Sequence, residues 1–84
     1  MQMLRLPTVL CQTGYRSQAT IYGRINKGIF PKPVKIGERS SAWPSDEVES
    51  VCWAQAAGAT ENELRTLVDR LHQKRAERLQ NLLA

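Results

Sequence analysis

Gly14 and Gly28 bracket a stretch, TGYRSQATIYGRINKG from Thr13 to Gly28, that leaves few folds open. Glycine enters the left-handed backbone region freely, so Gly14 can end one short helix and Gly28 can stop a second after Lys27. Ser17, three residues past Gly14, can cap that second helix through its hydroxyl. The product is a helix, a tight turn and a helix. Along residues 18–27, Ile21 and Ile25 share one side, and at about 100° per residue the opposite midline holds Ala19, Gly23 and Asn26. Gln18, Thr20, Tyr22, Arg24 and Lys27 flank that midline. A helix with a small midline and polar margins suits the major groove of DNA. Ala19 and Gly23 let the backbone approach base edges, the polar side chains offer hydrogen bonds, and Arg24 and Lys27 sit near phosphates. A mid-helix glycine costs about 1 kcal/mol relative to alanine, so Gly23 weakens the helix unless close approach is its purpose. The alternative is a surface helix whose glycine is incidental, because helix-turn-helix patterns are weakly specific.

The chain has 84 residues, 42% of them hydrophobic, which allows one small domain, or one plus a helical appendage, and no large catalytic cleft. Its net charge of +4 and pI near 9.5 permit an acidic partner without identifying one. The distribution says more. Seven cations against one anion up to Ser45 give +6, and five cations against seven anions after it give −2, so positive charge lies with the proposed reading helix. Cys11 and Cys52 fall in apolar, helical contexts and are expected to be reduced and largely buried, with a disulfide between them left open. His72, the one histidine, is far from both, so no metal-ligand spacing exists and neither metal nor cofactor is expected. Without a long apolar run or a charged-then-apolar leader, neither membrane span nor secretion signal is indicated, and a cytoplasmic location is expected.

Met1 to Leu6 is an extended lead-in. Pro7 fits the first turn of a helix running to Thr13, whose Val9 and Leu10, with Leu6, brace Ile21 and Ile25 of the reading helix. After Gly28, the prolines of Phe30-Pro31-Lys32-Pro33 forbid helix and favour an extended path. Val34 and Ile36 alternate with Lys35, Gly37-Glu38 is expected as a two-residue hairpin turn, and Ser40 to Trp43 returns as a second strand. A lone hairpin is unstable, so Val34, Ile36 and Trp43 should pack on the helices, leaving Lys32, Lys35 and Arg39 projecting. Residues 32–43 read either as a basic wing gripping the DNA backbone or as an ordinary hairpin with lysines blunting its edge. Ser45 starts a third helix with Asp46 and Glu47 where the macrodipole favours them; Val48, Val51 and Cys52 face inward with Trp53 at the edge, and Gly58 closes it.

These residues resemble the AlpA family of prophage regulators, relatives of excisionases and of MerR-like winged helix-turn-helix domains. The likeness runs from about Leu4 to Trp53. It is carried by Ser17-x-x-Thr20-Ile21-Tyr22, by Gly28-Ile29-Phe30-Pro31-x-Pro33-Val34-Lys35-Ile36-Gly37-x-Arg39, and by Trp43 with Glu47-Val48. The tryptophan common soon after the Glu-Val pair is Val51 here, with Trp53 two residues on. The resemblance implies a mainly α fold with a small β-hairpin, a winged helix-turn-helix, followed here by a long C-terminal helix. It also implies DNA binding and a role in transcription or excision of an integrated element. On that pattern Ser17, Thr20 and Tyr22 fall in the reading helix, Lys35 and Arg39 in the wing, and Trp43 in the packing beneath. The residues expected to face DNA are Arg16, Ser17, Gln18, Thr20, Tyr22, Arg24, Asn26, Lys27, Lys32, Lys35 and Arg39.

A tail sets this chain apart. Thr60-x-x-Glu63 is a capping box opening a helix over 61–83, roughly 35 Å at 1.5 Å per residue. Leu64, Leu67, Val68 and Leu71 form an apolar face, Lys74, Arg75 and Arg78 interrupt it, and Leu79, Leu82 and Leu83 resume it. Such a stripe needs a cover, either its own domain or the same helix of a second subunit. Pairing into a homodimer through Leu64, Leu67, Val68, Leu71, Leu79 and Leu82 is favoured because residues 1–58 already have a core; the basic interruption argues for an offset or antiparallel contact. Residues 1–58 are then a DNA-binding domain and 59–84 a dimerisation or partner-binding element. The expectation is a non-enzymatic regulator binding double-stranded DNA. The alternatives are an excisionase-like bending factor, or a module binding an integrase or other protein through helix 61–83. One histidine and scattered acids assemble no catalytic constellation.

Overall fold

In the computed structural model, which describes residues 1–84, Pro7 occupies the first turn of helix α1 (Leu6–Thr13), where its missing N–H removes no bond. Gly14 ends α1 at φ +78°, its N–H bonded to the Leu10 carbonyl. Ser17 caps α2 (Gln18–Asn26), its hydroxyl accepting from the Thr20 N–H. Gly28, at φ +77°, reverses the chain, and the Ile29 N–H returns to the Arg24 carbonyl at 3.0 Å, a Schellman closure of α2. Ile29 and Phe30 then drop directly into the core.

Strands β2 (Val34–Gly37) and β3 (Ser40–Pro44) form the hairpin. The lead-in is a strand as well: β1 (Met3–Leu4) pairs antiparallel with β3, giving the order β1-β3-β2. Gln2 fastens this edge to Ser45, whose hydroxyl accepts the Gln2 N–H and whose own N–H reaches the Gln2 carbonyl. Ser45 thus opens α3 (Ser45–Ala56) but does not cap it; Pro44 holds the cap position without a side-chain bond. The hairpin turn is Glu38-Arg39, one residue later than expected, with Gly37 paired to Ser40 and no positive φ at Gly37. The slip comes from a bulge: Val34 opposes Ala42 and Lys35 opposes Ser41, but Gly37 opposes Ser40, so Ile36 is extra. Ile36 is consequently half exposed and does not join the packing expected of it.

Cross-strand partners share a face, as do alternate residues of a strand. Leu4, Trp43, Ser41 and Lys35 therefore look one way, and Met3, Pro44, Ala42 and Val34 the other. The first set faces the helix pair α1 and α2, and Met3, Pro44 and Val34 line a groove along α4 (Glu61–Leu83). The single core joins Leu4, Val9, Ile21, Ile29, Phe30, Trp43, Val48 and Val51 to Leu64 and Val68. Val51 is fully buried, and Trp53 stands 70% exposed.

The expectation that the whole apolar stripe of the last helix pairs with a second subunit is corrected here. Leu64 and Val68 are buried in the chain's own core, and Leu67 and Leu71 pack against it. The core of residues 1–58 is not closed without them, so the first half of the helix folds back. Leu79, Leu82 and Leu83 remain exposed beyond it. Glu47 is also not an outward acid: it is buried and takes both Nε and Nη2 of Arg75, at 2.8 and 2.5 Å. The cysteines are both free thiols, but Cys11 is exposed rather than buried, because it lies on the side of α1 opposite Val9.

Candidate nucleic-acid interface

A run of aromatic contacts sets α2 against the hairpin. Trp43, buried in β3, donates its indole N–H to the Pro31 carbonyl at 2.9 Å, which fixes the extended segment leading into the wing. Tyr22 meets the Trp43 ring edge-on at 6.4 Å between centroids, Phe30 meets it at 6.3 Å, and Tyr15 meets Phe30 at 5.9 Å. The angle between α2 and the wing is therefore held by ring packing from both elements. Tyr15 also donates its hydroxyl to Gln55 of α3. Burial raises the Tyr15 pKa, against the opposing pull of the Arg24 charge.

On the outer side of α2, Gln18, Ala19, Thr20, Gly23 and Asn26 are all exposed. A Cβ built on Gly23 would meet nothing within 4 Å, so no packing within the protein requires glycine there. Tyr22 and Arg39 line one cleft of about 380 Å³ between α2 and the wing, with Ser41, Trp43 and Arg5. Lys35, opposite Ser41, is on the same face of the hairpin. Arg5, left in the lead-in by sequence reasoning, is brought there by the pairing of Leu4 with Trp43. A two-residue strand has no periodicity to read, and the one available signal was that Arg5 adds to the positive charge of the first 45 residues.

Other expected contacts fall differently. Arg24 is drawn against the turn between the helices: its guanidinium carbon lies 4.9 Å from the Tyr15 ring centroid and its Nε is buried. Ser17 and Thr20 are exposed but partly engaged with each other, hydroxyl to hydroxyl at 3.2 Å. Asn26 and Lys27 are exposed at the end of α2, and the Lys27 carbonyl accepts from Arg65 of α4. Lys32 has an exposed side chain at the foot of the wing, where its backbone is clamped to α4. Its N–H donates to His72 Nε2 at 3.1 Å, and its carbonyl accepts from Arg75 at 2.8 Å. Burial, then the nearby Arg75 charge, lowers the His72 pKa, in keeping with an unprotonated Nε2 accepting that bond. Arg16, exposed in the turn, completes the cationic set. The two ion pairs of the molecule, Arg75 with Glu47 and Arg65 with Glu61, leave every cation of the first 45 residues without an acidic partner.

A two-helix motif, a hairpin beside the second helix and a third helix behind both define a winged helix-turn-helix, here extended by α4. Residues 2–56 match the family model described as "Prophage CP4-57 regulatory protein (AlpA)", and the chain belongs to this family of prophage regulatory proteins. It is 39% identical over 57 residues to the uncharacterized protein ORF88 of Enterobacteria phage P4, a match covering 68% of this chain. The chain spans 64% of that relative's length. No solved structure matches. No helix is long and apolar enough to cross a membrane.

Proposed function

We propose that this prophage regulator is a sequence-specific DNA-binding protein acting on transcription, with α2 in the major groove and the wing on the adjacent backbone. The observation that carries the reading is the shared cleft: Tyr22 of α2 and Arg39 and Ser41 of the wing converge on it, with Lys35 on the same face. Beside it runs the exposed, side-chain-poor midline of α2, and the cations around both are free of carboxylates. Gln18, Thr20 and Asn26 read base edges; Arg16, Lys27, Lys35 and Arg39 meet phosphates, with Lys32 at the wing's foot. The protein acts in the bacterial cytoplasm, on the nucleoid, without catalysis.

Selection of bound duplexes from a random pool, followed by salt titration on the winning sequence, tests this. With four to six phosphates neutralised, log K should fall against log salt with a slope of about −4 to −5. Failure to retard any duplex at low salt would refute the reading. Blocking a promoter and bending an attachment site use the same contacts, and mobility of circularly permuted duplexes separates them. A homodimer is also supported, now through the overhanging end of α4. Leu79 and Leu82 line a groove of about 350 Å³ with Met1, Met3 and Leu71, and nothing in the chain covers it. An integrase or similar protein on that groove is the alternative, and light scattering of the pure chain decides between them.

A further inference from the structure

We propose that the cleft between α2 and the wing seats one DNA phosphodiester, held jointly by Arg5 and Arg39. This rests on the DNA-binding reading above and adds to it a residue outside both the reading helix and the wing. Arg5 and Arg39 are far apart in sequence, yet both line the same cleft. Neither is in an ion pair, both are exposed, and no carboxylate lines the cleft, so two guanidiniums stand uncompensated around one concavity. Arg5 occupies the position before α1 with extended backbone, and its guanidinium takes part in neither ion pair of the chain.

The chemistry of the cleft selects an anion with several acceptor oxygens. A guanidinium fork matches phosphate oxygens in bidentate fashion, and hydroxyls from Tyr22 and Ser41 supply further donors at the rim. The floor is the buried Trp43 ring, which excludes water on that side and strengthens charge interactions at the mouth. The cleft lies between the exposed face of α2 and the wing, which is where the strand bordering an occupied major groove must cross. A duplex phosphodiester fits that placement, whereas a free anion would need none of the neighbouring surface. The short strand β1 thereby gains a role, since its pairing with β3 sets Arg5 beside the wing.

The test uses the full chain and a mixed-sequence duplex, with affinity followed by fluorescence anisotropy across a range of salt. Arg5→Ala and Arg39→Ala are each expected to weaken binding about tenfold with the salt slope nearly unchanged, because the remaining guanidinium still neutralises the phosphate. The double variant, which leaves that phosphate without a cation, should reduce the slope by about 0.9 and not twice that. Arg5→Lys, which keeps the charge and loses the fork, should keep the slope and lose part of the affinity. Arg70→Ala, on the exposed side of α4, should change neither, and circular dichroism should show all variants folded. Unchanged affinity in folded Arg5→Ala, or a slope loss of about 0.9 in each single variant that adds in the double, would overturn the shared seat while leaving DNA binding intact. Inorganic phosphate binding that Arg5→Ala and Arg39→Ala both lose, while both keep full affinity for duplex, would assign the cleft to the free anion and overturn it too. Absence of duplex binding by the unmodified chain would instead refute the reading on which this rests.

Discussion

Replacing Gly23 by alanine separates folding from recognition at one position. Gly23 lies in the middle of the nine-residue α2, has ordinary helical backbone, and offers an added methyl only open space. Nothing in the protein opposes the substitution, so the helix should gain its propensity difference, about 1 kcal/mol. For a domain of this size that corresponds to a rise in Tm of roughly 4–8 °C. On the DNA-binding reading the same methyl would stand at the surface that faces base edges, where overfilling a close contact costs about 1–3 kcal/mol, roughly fivefold to a hundredfold in affinity. Thermal melting and anisotropy on the selected duplex measure the two effects in one preparation. A more stable variant that binds as well as the original would refute close approach of the α2 backbone to DNA. A less stable variant would refute the description of Gly23 as an unconstrained helix interior.

Further outcomes follow from the clamp and the tail. Arg75→Ala leaves Glu47 buried without its partner and frees the Lys32 carbonyl, so denaturant unfolding should show a loss of about 2 kcal/mol or more. Stability should also fall as pH drops below 6.5, because His72 is held below that ordinary value in the folded chain and the unfolded chain therefore binds the proton first; the loss is complete below the folded pKa. Unfolding titrations between neutral and acid pH should show this component, and His72→Gln should remove it. Leu64→Ala should cost about 2–5 kcal/mol, whereas Leu79→Ser with Leu82→Ser should leave the melting temperature of the monomer nearly unchanged and abolish the dimer in light scattering. A dimer that survives the paired change would place the interface elsewhere.

The helices were legible because their ends are written in local chemistry: Gly14, Ser17 and Gly28 around α2, and Thr60 with Glu63 at the start of α4, where both bonds of the capping box are present. Sequence patterns failed where a partner decides the outcome. The stripe Leu64, Val68, Leu71 states that a surface must cover it but not whose, and the answer came from the core of the same chain. Ile36 keeps its place in the alternation, but a bulge one residue before the turn lifts it into solvent. Arg24 is placed by period at the edge of a reading face, and the aromatic ring of Tyr15, nine residues earlier, draws it inward. Glu47 looked like a macrodipole acid because its partner, Arg75, is 28 residues away. Within the candidate interface, the span of α2 was legible but not the inward turn of Arg24, the hairpin was legible with a shifted turn, and Arg5 was not legible at all.

The most direct test is amide chemical-shift mapping of the full chain on titration with the selected duplex. Shifts should concentrate in residues 17–27 and 35–41, with Arg5 and the Tyr22 ring following them, while the solvent face of α3 around Trp53 stays still. Shifts confined to α3 or to the end of α4, with α2 and the wing unmoved, would contradict the account.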